Sequence, residues 1–152
     1  MNKNFTLFVI LFFMSAASTQ INAQVERVIY QTFNLNDSTE NVFLNLHDNF
    51  EVIGWHHDRD IMVESTVQLK GGSMDLLKAF INEGRYLFQP KSELVTTTLQ
   101  LGMDKPQREF IKFKGTACEE IVTHRIYIPD GYLKVADNNF ARKPETILVN
   151  KE

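Results

Sequence analysis

The residues best suited to chemistry are histidines and aspartates in two short polar segments. His47 precedes Asp48, and His56–Asp60 reads His-His-Asp-Arg-Asp. Imidazole and carboxylate groups bind zinc and other divalent ions. The weak metal-ligand candidates are therefore His56, His57, Asp58 and Asp60. If 41–46 and 50–55 are neighbouring strands of a meander, the two turns lie roughly 25 Å apart, at opposite ends of the 50–55 strand. We interpret both segments as solvated turns and assign no metal site.

The other reactive residue types do not form a catalytic pattern. Cys118 precedes Glu119 and Glu120, whose negative charges disfavour the thiolate that a nucleophile requires. Cys118 and His124 are about 20 Å apart along an extended strand, too far for a nucleophile and its base. Glu119 and Glu120 are adjacent, so in a strand their side chains point to opposite faces and do not form a paired-carboxylate site. The sequence also lacks the hydrolase, phosphate-loop and zinc-protease motifs. We predict a protein that is not an enzyme and has no catalytic residue and no cofactor.

We interpret Cys118 and His124 as structural residues. We interpret Cys118 as a small apolar strand residue, with an intermolecular disulfide as the alternative. A single cysteine excludes a disulfide within the chain. His124 shares the apolar face of its strand, so we expect a hydrogen-bonded core histidine.

Three aromatic residues are candidates for surface binding. Trp55 ends the predicted 50–55 strand next to the histidine turn, and Phe110 and Tyr127 occupy non-core positions of their predicted strands. Together they are a candidate platform for stacking a carbohydrate. The alternative is that the sheet is buried on both faces, as solenoids and sandwiches allow.

Alternation of apolar and polar residues identifies the elements that position these side chains. It is clearest in Ile61–Lys70, where positions 61, 63, 67 and 69 are apolar, and it recurs in 95–103 and 122–128. This period-two pattern is typical of strands with one buried face. Shorter strands are predicted at about 28–33, 41–46, 50–55, 86–89, 109–114 and 132–135. Strands at spacings near ten residues predict an all-β domain.

One helix is predicted within this pattern, at about 73–83. Gly71 and Gly72 end the preceding strand, Ser73 is suited to cap the helix, and Gly84 is placed to end it. Four apolar residues follow a helical spacing and form one stripe: Met74, Leu77, Phe80 and Ile81. We expect the helix to cover an open end of the sheet rather than to bind a partner.

The first 23 residues have the pattern of a secretory signal peptide. Lys3 precedes an apolar run over 5–14, and small residues lead to a favoured cut after Ala23, with a cut near Ala17 as the alternative. The run is too short to span a membrane. We predict an exported, periplasmic or extracellular protein with a β domain over 24–135. Residues 136–152 are expected to form a semi-ordered tail with an edge strand near 146–149.

Charge excludes one class of partner. The chain of 152 residues has a formal net charge of −3, which becomes −4 when Lys3 is removed with the leader. A mildly acidic domain lacks the basic surface of a nucleic-acid binder.

Four short segments resemble one family: Phe43–Leu46, Phe50–Trp55, Ile61–Glu64 and His124–Gly131. They are similar to the short rungs of exported bacterial adhesin-like proteins of the head-GIN or auto-transporter-adhesin type. The resemblance covers about 42–135. It implies strands stacked in a β-solenoid or roll, and a binding or structural role, because those families have no established catalytic residues.

The predicted fold is therefore all-β, as a solenoid, roll or sandwich with one inserted helix. The first functional hypothesis is a structural, adhesin-like or binding role at the cell envelope, with an envelope protein or glycan as partner. The second is a periplasmic carrier of a small hydrophobic ligand, which requires an apolar pocket. The third, a metal-dependent hydrolase, requires histidines that converge on one ion.

Overall fold

The computed structural model describes residues 24–57, 59–91, 97–103 and 107–144. The expected leader and the strand near 146–149 lie outside the described residues. Within these ranges the chain forms eleven strands and one helix. In chain order they are β1 (Gln24–Asn34), β2 (Asn41–Asn45), β3 (Asn49–Trp55), β4 (Asp60–Lys70), α1 (Met74–Asn82), β5 (Phe88–Lys91), β6 (Thr98–Met103), β7 (Lys112–Phe113), β8 (Thr116–Ala117), β9 (Glu119–Pro129), β10 (Tyr132–Ala136) and β11 (Asn139–Arg142). The predicted all-β fold with one inserted helix is confirmed.

The strands form two sheets and a small hairpin. The four-stranded sheet has the order β1-β4-β9-β3, and the five-stranded sheet has the order β10-β11-β2-β6-β5. Pairing is antiparallel except between β2 and β6 and between β3 and β9. Because β2 and β3 belong to different sheets, the chain crosses between the sheets at 46–48, and the two strands are not neighbours in a meander.

Two apolar clusters lie on the inner face of the four-stranded sheet. The long strands β4 and β9 contribute to both, because alternate residues of each strand are buried along its length. The sheet core joins the two sheets and includes Val42, Leu44, Ile61, Val63, Leu101, Ile126 and Ile128. The helix core covers the other end and contains Val67, Leu69, Leu77, Tyr86, Ile111, Cys118 and Val122.

The helix forms where the sequence predicts it and has the predicted role. The Ser73 side chain accepts a hydrogen bond from the backbone N–H of Leu76, which caps the first turn. Leu77 is fully buried against β4 and β9 in the helix core. The helix thus covers the end of the four-stranded sheet that the five-stranded sheet leaves open. Among the described residues, no helix is long and apolar enough to span a membrane.

Several strand predictions differ from the structure at their ends. Strand β1 begins at Gln24, four residues before the predicted 28–33 strand, and β9 begins at Glu119, before the predicted 122–128 strand. The predicted 109–114 strand is paired only at Lys112–Phe113, and the predicted 86–89 strand begins at Phe88. The five-stranded sheet also continues past residue 135. Its strand β11 lies between β10 and β2, inside the expected tail.

Candidate functional site

A buried polar cluster separates the two cores. Ser65 on β4 and His124 on β9 are directly opposite each other, and His124 Nδ1 lies 2.9 Å from Ser65 Oγ. On the other side of the ring, His124 Nε2 lies 3.4 Å from Asp48 Oδ2. The Phe88 ring packs edge-on against the imidazole, with the ring centroids 4.9 Å apart. His124 is therefore the hydrogen-bonded core histidine that the sequence predicts.

Asp48, His124 and Ser65 form a chain of the residue types found in serine hydrolases, but their geometry differs. In a catalytic triad the serine bonds to Nε2 of the imidazole and the carboxylate to Nδ1. Here both connections are reversed. Ser65 is also only 1% exposed, so its hydroxyl does not face a substrate. The arrangement satisfies buried polar groups rather than activating a nucleophile.

Two arginines extend this cluster towards the helix core. The Arg108 guanidinium donates two hydrogen bonds to Asp48, at 2.7 and 2.8 Å, and its Nε donates to Glu120 Oε2 at 3.2 Å. Arg85 Nε donates to Glu120 Oε1 at 2.9 Å, and the Tyr86 hydroxyl donates to the same oxygen at 2.6 Å. We call the seven residues the polar junction: Asp48, Ser65, Arg85, Tyr86, Arg108, Glu120 and His124.

The pKa shifts in the polar junction follow from these contacts. Burial opposes ionisation of Asp48, but its hydrogen bonds to Arg108 and His124 outweigh burial and hold its pKa well below the ordinary 3.8. For Glu120, burial is likewise outweighed by Arg85 and Tyr86, and its pKa is lowered. Burial and the bond to Glu120 both raise the pKa of Tyr86. Both carboxylates are thus held ionised by guanidinium groups and the phenol is held neutral, as in a structural ion-pair network.

The histidine turn residues bind separate partners. His56 Nδ1 lies 2.6 Å from Asp130 Oδ2, whereas His57 Nδ1 lies 3.4 Å from Asp60 Oδ2. Asp58 lies outside the described residues. In the part of the chain that the structure describes, no three His, Cys, Asp or Glu side chains are grouped to hold a metal ion. The geometry does not bring His56 and His57 together on one ion, as the hydrolase hypothesis requires.

Trp55 and Tyr127 are brought together on the outer face of the four-stranded sheet, which we call the open face. Their ring centroids are 5.9 Å apart, and the His57 ring stacks on Trp55 at 4.9 Å. The indole N–H of Trp55 donates to the carbonyl of Asp60 at 3.1 Å, which fixes the orientation of the ring. We call Trp55, His57 and Tyr127 the aromatic row. Ile53 and Met62 flank Tyr127 in the pairing register and complete an apolar patch.

A polar depression of about 480 Å³ adjoins the aromatic row on the same face. Arg125 lies within it between two carboxylates, 3.6 Å from Glu51 and 3.4 Å from Glu64. The remaining outward side chains of the depression are Asn49, Thr66 and Thr123. Because β3 and β9 pair in parallel, the row and the depression occupy successive positions of the same two strands. Apolar rings and hydrogen-bonding groups therefore lie side by side on one surface.

The third aromatic candidate lies elsewhere. Phe110 is 96% exposed in the segment that precedes β7. Its neighbour Arg108 contacts Glu120, and Glu120 is seven residues before Tyr127 on β9, on the order of 20 Å along the strand. Phe110 is therefore not part of the aromatic row.

Cys118 is buried in the helix core, as predicted for a small apolar residue, but it lies between β8 and β9 rather than within a strand. Its carboxylate neighbours diverge as predicted. Glu119 faces Lys70 on the surface, whereas Glu120 points into the polar junction.

A cleft of about 650 Å³ lies at one edge of the molecule, between β3 and the β10–β11 hairpin. At the opposite edge the two sheets are joined, because the Gln31 side chain bonds to both the N–H and the carbonyl of Phe88. The cleft is lined by apolar side chains that include Phe50, Val52, Ile128, Tyr132, Leu133 and Phe140, and by Lys134 and Lys143.

Sequence reasoning did not identify the polar junction. Asp48 and Arg108 are sixty residues apart in sequence, and Arg108 lies outside any periodic segment. The available signals are two polar residues at inward positions of β9: His124, which the sequence predicts as a hydrogen-bonded core residue, and Glu120.

Comparisons of this chain with protein-family models, with curated proteins and with solved structures find no match.

Proposed function

We propose that this chain is an exported, non-enzymatic binding protein of the cell envelope that recognises a glycan through the open face. The observation that carries the proposal is the aromatic row beside the polar depression. The C–H face of a pyranose ring is apolar and packs against aromatic rings, while its hydroxyls require donors and acceptors placed around them. Arg125, Glu51 and Glu64 supply both kinds of group next to Tyr127.

The rigidity of the row supports this choice over an incidental aromatic cluster. Trp55 is held by its bond to Asp60 and by the stacked His57 ring, so little side-chain entropy is lost on binding. Trp55 and Tyr127 also lie on regular strands, which keeps the spacing of their two rings constant.

The proposal is tested by titrating the protein with a panel of soluble polysaccharides and peptidoglycan fragments. Trp55 is the only tryptophan of the chain, so its fluorescence reports binding at the row directly. We expect Tyr127→Ala to weaken binding about tenfold or more, since one stacked ring contributes about 1.4 kcal/mol. Phe110→Ala removes an equally aromatic but distant side chain and should leave affinity unchanged. Equal affinities of the two variants, or no ligand in the panel, would remove the support for glycan binding.

The lateral cleft favours a second candidate function, a carrier of a small hydrophobic ligand. Its volume lies within the range of ligand pockets, and most of its lining is apolar. The test is binding of a fluorescent fatty acid. Leu133→Glu places a charge in the cleft and should abolish binding, whereas Phe43→Glu alters an exposed aromatic residue outside the cleft and should not. Loss of glycan binding in Tyr127→Ala supports the glycan binder. Loss of fatty-acid binding in Leu133→Glu supports the carrier.

A further inference from the structure

Strand β1 is the longest edge strand of the two described sheets, and α1 packs against its inner face. All eleven residues of β1 pair with β4 in one continuous antiparallel register. No other strand among the described residues pairs with the opposite side of β1. Within the described part of the chain, that side therefore presents a row of backbone N–H and C=O groups without a strand partner.

The other three sheet edges carry the features that discourage such pairing. Strand β5 has four residues, which include Pro90 and Lys91. Strand β10 carries Lys134, and its register shifts between Lys134 and Ala136. Strand β3 is shorter than β1 and presents Glu51 outward. Short strands, lysine, proline and bulges are the usual means of blocking an edge.

Strand β1 presents Glu26 outward, as β3 presents Glu51, but it lacks the other features. Its sequence contains no lysine or proline, and its register contains no shift. On the open face it exposes two large side chains, Val28 at 41% and Tyr30 at 61%. A long, regular edge with exposed apolar residues is suited to β-augmentation by another strand.

Two copies of β1 have compatible side chains when they pair antiparallel about their central residue. Ile29 is the central residue of Gln24–Asn34, so a two-fold axis at Ile29 pairs all eleven residues without overhang. Val28 of each copy then faces Tyr30 of the other on the open face. The charged residues Glu26 and Arg27 face the uncharged Thr32 and Gln31, so no like charges are opposed. Such a ladder supplies about ten backbone hydrogen bonds, which is similar to the number of hydrogen bonds in a typical protein–protein interface.

We propose that β1 is a homodimer interface, in which β1 of one copy pairs antiparallel with β1 of a second copy about a two-fold axis at Ile29. The two four-stranded sheets then form one continuous eight-stranded sheet. A second copy is favoured over a foreign strand because its exposed Val28 and Tyr30 pair with Tyr30 and Val28 of the first copy and no like charges are opposed. This inference does not depend on the proposed glycan function.

The test is a charge-swap experiment on the full chain, with mass measured by light scattering and native mass spectrometry. In the double variant Val28→Lys/Tyr30→Lys, lysines face lysines across the axis, and we expect the dimer dissociation constant to rise about a hundredfold or more. Val28→Glu/Tyr30→Glu should have the same effect. An equimolar mixture of the two variants places each lysine opposite a glutamate and should restore a dimer that contains one copy of each.

The matched control is Leu133→Lys/Val135→Lys on β10. These residues are 51% and 59% exposed, comparable to Val28 and Tyr30, but lie on an edge that the proposal leaves unpaired. This variant should remain dimeric. Far-UV circular dichroism checks that every variant is folded. A monomeric wild-type protein at about 100 μM, a dimer lost only in the β10 variant, or a mixture that stays monomeric would each overturn the proposal.

Discussion

At the scale of single residues, Glu120 is the centre of the polar junction. It accepts hydrogen bonds from Arg85, Tyr86 and Arg108, and it is largely buried. Removal of its charge leaves two partly buried guanidinium groups without their shared counter-ion. We expect Glu120→Gln to lower the free energy of unfolding by about 3 kcal/mol, as when one partner of a buried ion pair is removed.

The adjacent residue provides the control for this prediction. Glu119→Gln makes the same chemical change at a largely exposed carboxylate that pairs with Lys70. An exposed pair of this kind contributes less than about 1 kcal/mol. Urea unfolding of both variants gives the comparison, and equal losses would mean that the polar junction does not stabilise the fold.

Asp48 makes stability depend on acidic pH. Its pKa in the folded protein lies below the ordinary 3.8, so the unfolded chain binds more protons than the folded chain near pH 4. The stabilisation from Asp48 is therefore complete above about pH 5 and is lost as pH falls through 4 and below. Asp48→Asn should be less stable than wild type at pH 7, and the difference should narrow at pH 3. Unfolding midpoints at the two pH values measure this, and a difference that stays constant would contradict it.

At the scale of elements, the joint between β4 and α1 has almost no free space. A Cβ at Gly72 would lie 2.3 Å from Leu69 Cδ2 and 2.7 Å from Leu69 Cγ. Leu69 is fully buried in the helix core, so its side chain cannot move aside without disturbing its neighbours. We expect Gly72→Ala to destabilise the protein by about 1–3 kcal/mol through overpacking. At Gly131 a Cβ meets no atom within 4 Å, so Gly131→Ala should leave the thermal unfolding midpoint nearly unchanged.

The elements that the sequence predicts best are those with local signals. Strands β4 and β9 are long and have one buried face, and α1 has a capping serine and glycines before and after it. Strand β11 was missed because the polar run 136–139 was interpreted as the end of the domain. The run instead contains the tight turn of the β10–β11 hairpin, and Asn138 adopts the positive φ of 60° that such turns favour.

The candidate site depends on long-range pairing, which alternation does not predict. The sequence correctly places Tyr127 and Arg125 on the face of β9 opposite to His124. It does not reveal that β3 pairs with β9 in parallel, and this pairing sets Ile53 beside Tyr127 and brings Trp55 near it. The 109–114 segment fails as a full strand for a related reason. Arg108 anchors the residues before β7 to Asp48 and Glu120, so only 112–113 find a partner strand.

At the scale of the whole molecule, two apolar cores are joined by two continuous strands. Strands β4 and β9 contribute residues to the sheet core and to the helix core, and the polar junction lies where the cores meet. Separation of one core from the other would expose the ion pairs of Asp48 and Glu120 and interrupt both strands. We therefore expect the described domain to unfold in one cooperative transition, although its apolar residues form two clusters.

Leu77→Ala tests this coupling, because Leu77 and Trp55 lie at opposite ends of the four-stranded sheet. Leu77 is fully buried in the helix core, so its truncation should cost about 2–5 kcal/mol. If β4 and β9 unfold as units, this loss shifts the Trp55 fluorescence midpoint in urea as far as it shifts the circular dichroism at 222 nm. Lys78→Ala, at an exposed position of the same helix, should move neither signal appreciably. A helix signal that is lost at lower urea concentration while the Trp55 transition stays in place would mean that the helix core folds as a separate unit, with β4 and β9 divided at Ser65 and His124.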